Sequence, residues 1–239
     1  MRRKPKWDGQ RETLDDLSDA VNYNRWIYEI LRPYAGSRIL EIGCGTGNLT
    51  GHLRRQGPVL AVDVHAGYLR AAQNRLKGIS GVSYRKVDLD KSFSSLRSFR
   101  PDTVICVNVL EHLLDDQRVL AECFRLLPPG GRLLLFVPAF QSLFGSMDVS
   151  YGHFRRYSVG DLRRKMENAG FKVEFSRYLN LLGVLGWWLN GKLLKKKIIP
   201  KSQMILYDKM VGISSKFERF LPRPIGLSLF SVGQKPKTP

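Results

Sequence analysis

The stretch Leu40-Glu41-Ile42-Gly43-Cys44-Gly45-Thr46-Gly47-Asn48 decides how this chain folds. An apolar segment, Arg38 to Ile42, feeds three glycines at alternate positions, and a second apolar segment, Val59 to Val62, ends in Asp63, twenty residues beyond Gly43. A strand running into a Gly-rich turn lets backbone N–H groups approach a ligand closely, because no Cβ stands in the way. An acid at the end of the next strand suits a ribose diol. The pair therefore points to a nucleotide-type cofactor. A dinucleotide fold would place its third glycine at position 48, which is Asn48.

Working outward, strands and helices alternate. Strands are expected at 38–42, 59–63, 82–87, 101–108 and 132–137, with helices at 47–56, 66–77 and 116–127 between them. Such alternation implies a parallel, doubly wound α/β sheet. The run Pro101 to Asn108 reads as continuous apolar, that of a central strand covered on both faces. Pro128-Pro129-Gly130-Gly131 turns the chain into the fifth strand. A helix from Ser158 to Gly170 leads to a strand at 171–176, and 226–233 reads as a last strand. Before the first strand, Leu14, Leu17, Val21, Trp26, Ile27, Ile30 and Leu31 recur at near-helical spacing up to Pro33. They predict an N-terminal helical cap over 1–35.

The motif E-x-G-x-G-x-G, here Glu41, Gly43, Gly45 and Gly47, resembles that of the class I S-adenosylmethionine-dependent methyltransferases. The resemblance implies a Rossmann-like seven-stranded sheet with an antiparallel last strand. It also implies S-adenosylmethionine as cofactor: Glu41 and the three glycines around the methionine end, Asp63 on the ribose, Asp88 and Leu89 at the adenine edge. Asn108, Leu110 and His112 would follow the fourth strand near the methyl group, and Tyr23, Asn24 and Trp26 would close over the carboxylate. Asn108-Val109-Leu110-Glu111 is not the Asn-Pro-Pro-Tyr type used on exocyclic amines, so an oxygen acceptor is expected.

Further along, Met147 to Ser158 contains Gly152-His153-Phe154-Arg155-Arg156-Tyr157. This resembles a Gly-His-x-Arg-Arg-Tyr signature of a methyltransferase subgroup associated with lipid-linked glycan pathways. Adjacent guanidinium groups beside a Tyr and a His suit a phosphate or carboxylate. His153 could alternatively be a general base oriented by Asp148. Asp148, His153, Arg155, Arg156 and Tyr157 are thus the candidate catalytic residues.

Between the last two strands lie 48 residues, 177–224, far longer than an ordinary connection. Tyr178 to Leu189 is apolar and ends in Trp187 and Trp188, followed by Lys192, Lys195, Lys196 and Lys197; a second amphipathic segment covers 204–221. Neither is long enough to span a bilayer, but both suit its interface, with the tryptophans at head-group level. This insertion carries ten basic and two acidic residues, +8 of the chain's +18 net charge. A membrane-surface enzyme acting on an anionic, lipid-linked acceptor (a polyprenyl phosphate or a glycan on such a carrier) is the expectation. Its rivals are a quinone-type or soluble small-molecule O-methyltransferase with a helical lid, and an RNA methyltransferase. No RNA module is recognisable, so a nucleic-acid partner is not expected.

At 239 residues the chain suits one domain: the cap, a core of 36–176 plus 225–235, and the insertion. Three cysteines without C-x-x-C spacing suit a reduced core, and no metal site is expected. The basic N-terminus has no apolar segment of the secretory kind. The expected location is cytoplasmic, peripheral on the inner face of the cell membrane; the sequence leaves the oligomeric state open.

Overall fold

A computed structural model describes residues 20–217 and 224–237. Seven strands form one sheet: β1 (Ile39–Ile42), β2 (Val59–Asp63), β3 (Val82–Lys86), β4 (Thr103–Val107), β5 (Arg132–Pro138), β6 (Lys172–Leu179) and β7 (Ser228–Gln234). Their order is β3-β2-β1-β4-β5-β7-β6, with β7 antiparallel to both neighbours. The sheet reverses its winding at β1 and β4, which lie side by side in parallel with Glu41 level with Ile105. Ligands bind at such a switch point in open α/β sheets.

Alternation along β1 sends Ile39 and Glu41 to one face and Leu40 and Ile42 to the other. Helices α1 (Val21–Leu31), α2 (Thr50–Leu53) and α3 (Ala66–Arg75) accompany the first face, where Ile27, Leu31, Leu53 and Leu69 pack with Ile105, Phe136 and Phe230. On the opposite face α4 (Asp116–Leu126) and, past the short α5 (Ser146–Tyr151), α6 (Val159–Asn168) bury Val119, Leu120, Leu162 and Met166 against Leu40, Val104, Leu133 and Leu135. Cys44, Cys106 and Cys123 are buried and unbridged.

Three expectations change. The helix expected over 47–56 is a single turn, Thr50–Leu53; Gly47, Gly51 and Gly57 favour no longer one. Strand β6 extends to Leu179 because Arg177, Tyr178 and Leu179 stay paired with Phe230, Leu229 and Ser228. The insertion therefore begins at Asn180. It holds α7 (Leu181–Trp187), a π-helical turn at Trp188–Leu193, and α8 (Lys201–Phe217). Of the expected N-terminal cap, Leu14 and Leu17 lie outside the described residues, as does 218–221 of the second amphipathic segment.

Candidate active site

Helix α1 closes over the carboxyl ends of β1, β2 and β4, leaving a cavity of about 290 Å³. Gly43, Gly45, Glu41, Asp63, Asp88 and Leu89 all line it. Gly43 has φ +73°, and a Cβ there would collide with Val109, which lines the same cavity. Asp63 does more than face the cavity. Its carboxylate accepts from the backbone N–H of Gly45 at 3.0 Å and of His65 at 2.8 Å, so the acid also holds the glycine loop in place. Glu41 accepts from Thr50 Oγ1 at 2.5 Å, and burial pushes its pKa up to about 8. Backbone left bare by Gly43 and Gly45, beside the carboxylates of Glu41, Asp63 and Asp88 and the side chain of Leu89, fits a nucleoside bearing an amino-acid tail.

Gly47 plays a different part from the one its motif implies. It does not line the cavity; a Cβ there would press on Ala72 of α3 at 3.0 Å, so it permits helix packing. Leu110 is fully buried in the core instead of lining the cavity. Trp26 also misses it, its ring lying edge-on to Phe136 at 6.0 Å beneath Tyr23. Asn24 does line it.

A second cavity, about 250 Å³, adjoins the first. Tyr23, Asn108 and His112 line both and form the wall between them. Asn108 sits at the end of β4 with φ +51°, a left-handed conformation that a non-glycine residue keeps only where its surroundings impose it. Its side chain hydrogen-bonds Tyr23, whose hydroxyl is pushed up to about 12 by burial. Apolar groups of Pro138, Leu182, Trp187, Ile199, Met204 and Leu227 dominate the second cavity's lining. The insertion thus forms its roof.

Polar groups enter this cavity from the 148–156 segment and from the turn after β4. Asp148 is fully buried and accepts from His153 Nδ1 at 2.8 Å, Arg156 Nε at 2.8 Å and the Gly145 N–H at 2.9 Å. Burial alone would raise its pKa, but the His153 hydrogen bond and the Arg156 charge outweigh it and hold the carboxyl below its usual range. Arg156 also donates to the Ala139 carbonyl at 3.1 Å and lies 4.5 Å over the Trp187 ring, while its Nη2 has no partner among the described residues.

Arg155 and Tyr157 correct the expected anion site. Arg155 turns away from the cavity to Asp116 at 2.9 Å and to the carbonyls of Leu113 and Leu114. Tyr157 is fully buried and donates to the same Asp116 at 3.0 Å, alongside Lys165 at 3.0 Å. Successive residues of this extended segment point to opposite sides, so the two arginines cannot grip one anion together. Arg156 alone reaches the cavity, already paired.

Glu111 is the residue that sequence reading missed. It is fully buried, lines the second cavity, has no hydrogen-bond partner for either carboxylate oxygen among the described residues, and stands 3.9 Å from His153 Nε2. Burial pushes its pKa up to about 7. The signal was available, since an acid directly before His112 sits in an apolar turn. The burial of His112 lowers its pKa to about 3, so its ring is neutral.

On the outer side of the roof, Leu181, Leu185, Trp188, Leu189, Leu193, Leu194, Ile205, Leu206 and Met210 are exposed, with Lys192, Lys195, Lys197, Lys201 and Lys209 among them. Trp188 is 49% exposed, whereas Trp187 faces inward on Arg156 and Tyr151. Only one of the two tryptophans is therefore placed for an interface. No described helix is long and apolar enough to cross a membrane.

Residues 40–133 match the family model described as a methyltransferase domain. Over 110 residues, 44% of this chain and 45% of the relative, the sequence is 37% identical to a ubiquinone biosynthesis O-methyltransferase of Paracidovorax citrulli. It is 32% identical over 132 residues (53% and 55%) to a protein of the same name from Pseudomonas fluorescens. The chain spans about half the length of the curated relatives it matches. Among solved structures it resembles an S-adenosylmethionine-dependent methyltransferase from Mesorhizobium loti (TM-score 0.57, 16% identity, covering 84% of this chain and 91% of that one). It also resembles a Haemonchus contortus phosphoethanolamine N-methyltransferase 2 complexed with S-adenosyl-L-methionine (TM-score 0.61, 21% identity, covering 90% and 52%). Residues 40–133 thus resemble a methyltransferase domain, carried on a seven-stranded fold of the class I methyltransferase type.

Proposed function

We propose that the protein transfers a methyl group from S-adenosylmethionine to a hydroxyl oxygen of an acceptor with an apolar body, taken from a membrane surface. The observation that carries this reading is the shared wall of Tyr23, Asn108 and His112, which sets a mainly apolar cavity against the cavity lined by the glycine loop. Glu41, Gly43 and Gly45 would hold the methionine end, Asp63 the ribose, and Asp88 with Leu89 the adenine. The cofactor supplies an electrophilic methyl on a good leaving group, so alignment and exclusion of water do much of the catalysis. Tyr23, Asn108 and the insertion provide both. His153, oriented by Asp148, would take the proton from an acceptor hydroxyl, a role that its hydrogen bond to Asp148 supports. The relatives' names, ubiquinone biosynthesis O-methyltransferase, support an oxygen acceptor.

A neutral hydroxyl suits the second cavity better than a phosphate. Glu111 lines it, and Arg156, the one Lys or Arg among the described residues that does, is already paired with the buried Asp148 behind it. One observation favours the anionic reading: the partnerless Nη2 of Arg156 could donate to a polyprenyl phosphate or a lipid-linked glycan. The exposed apolar and lysine-bearing face of the insertion fits a peripheral position on the inner face of the cell membrane, with Trp188 at head-group depth.

The test is methyl transfer from labelled cofactor to three acceptors: a phenolic lipid in vesicles, its short-chain soluble analogue, and a polyprenyl phosphate in vesicles. Label on the phenolic lipid above its soluble analogue is expected. Label on polyprenyl phosphate alone would replace the hydroxyl reading with the anionic one; label on the soluble analogue alone would remove the membrane from the account.

A further inference from the structure

Glu111, His112 and His153 converge although no spacing in the sequence joins them. Glu111 and His112 belong to the 3-10 turn Leu110–His112 after β4, and His153 comes from the segment after α5. The chain ties the two together by a backbone bond, Phe154 N–H to the Glu111 carbonyl at 2.8 Å. One ligand-type atom from each of the three side chains lies within 4.8 Å of the others. The imidazole rings of His112 and His153 are 4.7 Å apart at 77°. All three side chains line the acceptor cavity, and His112 also lines the cofactor cavity.

We infer that this cluster is a divalent transition-metal site of the two-His, one-carboxylate kind, with an open position facing the acceptor cavity. Three features carry it. Glu111 is fully buried, and no hydrogen bond from any described residue satisfies the acceptor capacity of its two oxygens. His153 has its Nδ1 fixed on Asp148 at 2.8 Å, which turns Nε2 toward Glu111 and reproduces the carboxylate–histidine support that metal-ligating imidazoles have. Two imidazoles with one carboxylate suit zinc, cobalt, manganese or iron better than calcium or magnesium. Two ligands at about 2.1 Å from a tetrahedral ion stand about 3.4 Å apart. The 3.9 Å between His153 Nε2 and Glu111 Oε1 thus needs a contraction of about half an ångström. The expectation of no metal site rested on the cysteines and could not see a cluster assembled by the fold.

Such an ion would bind the acceptor's hydroxyl oxygen and release its proton to solvent on coordination, so that an oxyanion faces the methyl group. His153 Nε2 would then be a ligand and not the proton acceptor. The inference rests on the acceptor-cavity reading for this consequence only, and metal binding is measurable without it.

The experiment is titration of the chelator-stripped full chain with Co²⁺, reading d–d absorption. One saturable equivalent with the intense bands of a four- or five-coordinate ion is expected. The isosteric Glu111→Gln and the His153→Ala variants, checked for native circular dichroism, should lose it. No saturable spectrum in the wild-type protein, which needs no variant to interpret, overturns the site; so does an unchanged spectrum in a folded Glu111→Gln protein. Methyl transfer that proceeds fully after chelation, with no cobalt spectrum, would leave His153 as the base and remove the ion. A cobalt spectrum with no methyl transfer to any hydroxyl acceptor would do the reverse.

Discussion

Glu41 ties the cofactor cavity to pH in a way that can be worked through. It sits on the β1 face beneath α1, with Thr50 Oγ1 as its hydrogen-bond donor, and burial raises its pKa to about 8. At pH 6 the carboxyl is therefore protonated, and ionising it costs about 2.7 kcal/mol, two pH units at about 1.36 kcal/mol each. The methionine end of the proposed cofactor is cationic and favours the ionised form. Its affinity should thus fall about tenfold per pH unit below pH 8, roughly a hundredfold by pH 6, and level off above. Isothermal titration of the cofactor between pH 6 and 9 measures this. Glu41→Gln should flatten the profile at the weak, low-pH level, and Thr50→Val, which removes the donor, should move the midpoint up. A flat wild-type profile, or the same slope in Glu41→Gln, refutes the reasoning.

The same shift acts on stability with a defined sign. The folded-state pKa of Glu41 lies above the unfolded value of 4.5, so the folded protein binds the extra proton. The stability tied to that proton is complete below pH 4.5 and is lost as pH rises through about 8. Its upper bound is about 5 kcal/mol, 3.5 pH units at about 1.36 kcal/mol each. Glu41→Gln should remove this fall from the unfolding profile.

Arg155→Ala should lower unfolding free energy by about 1–3 kcal/mol in chemical denaturation, since Asp116 and two carbonyls lose a donor. It should leave the acceptor KM unchanged; a raised KM with unchanged stability would return Arg155 to the acceptor site. Replacing Lys192, Lys195 and Lys197 by Gln should weaken sedimentation with anionic vesicles by about 3 kcal/mol, roughly 150-fold at low salt, while neutral vesicles show no difference. Asp208→Ala should cost about 1 kcal/mol of stability and weaken cofactor binding, because Asp208 accepts from the N–H groups of Asn22 and Tyr23 at the start of α1; Asp208→Asn should keep most of both.

The cofactor half was legible because its constraints are local. Gly43 and Gly45 need a backbone without Cβ atoms, Asp63 follows by strand-and-turn spacing, and alternating βα segments leave one sheet topology. The acceptor half was legible only as a location. Gly152-His153-Phe154-Arg155-Arg156-Tyr157 pointed to a segment of which His153 and Arg156 line the second cavity, but the direction of each side chain depends on partners far away in sequence: Asp116 for Arg155 and Tyr157, Trp187 for Arg156. A pair of adjacent arginines reads as one anion fork until the backbone shows them on opposite sides. Glu111 went unnoticed for a related reason, because a buried acid is informative only once its missing partners are known. The insertion was read by composition, which gave its amphipathic character but not that Trp187 turns inward while Trp188 turns out.

That insertion has an inner and an outer face, and the geometry makes them interdependent. Its inner face supplies Leu182, Trp187, Asn190, Met204 and Tyr207 to the acceptor cavity, so the roof cannot move without opening that cavity. Its α8 also holds α1 from outside: Asp208 binds the first turn of α1, and Tyr207 packs its ring 5.8 Å from that of Tyr23. Tyr23 in turn hydrogen-bonds Asn108 on the wall between the cavities. On the proposed membrane-surface reading, the acceptor would pass beside α7 and α8, and a displacement of α8 would act on Tyr23, which lines the first cavity. The exposed Ile205, Leu206 and Met210 of α8 would trade water for lipid there. Docking on a membrane would then stabilise the arrangement in which Tyr23 and Asn108 stand between donor and acceptor, and water would be excluded from both cavities at the same time.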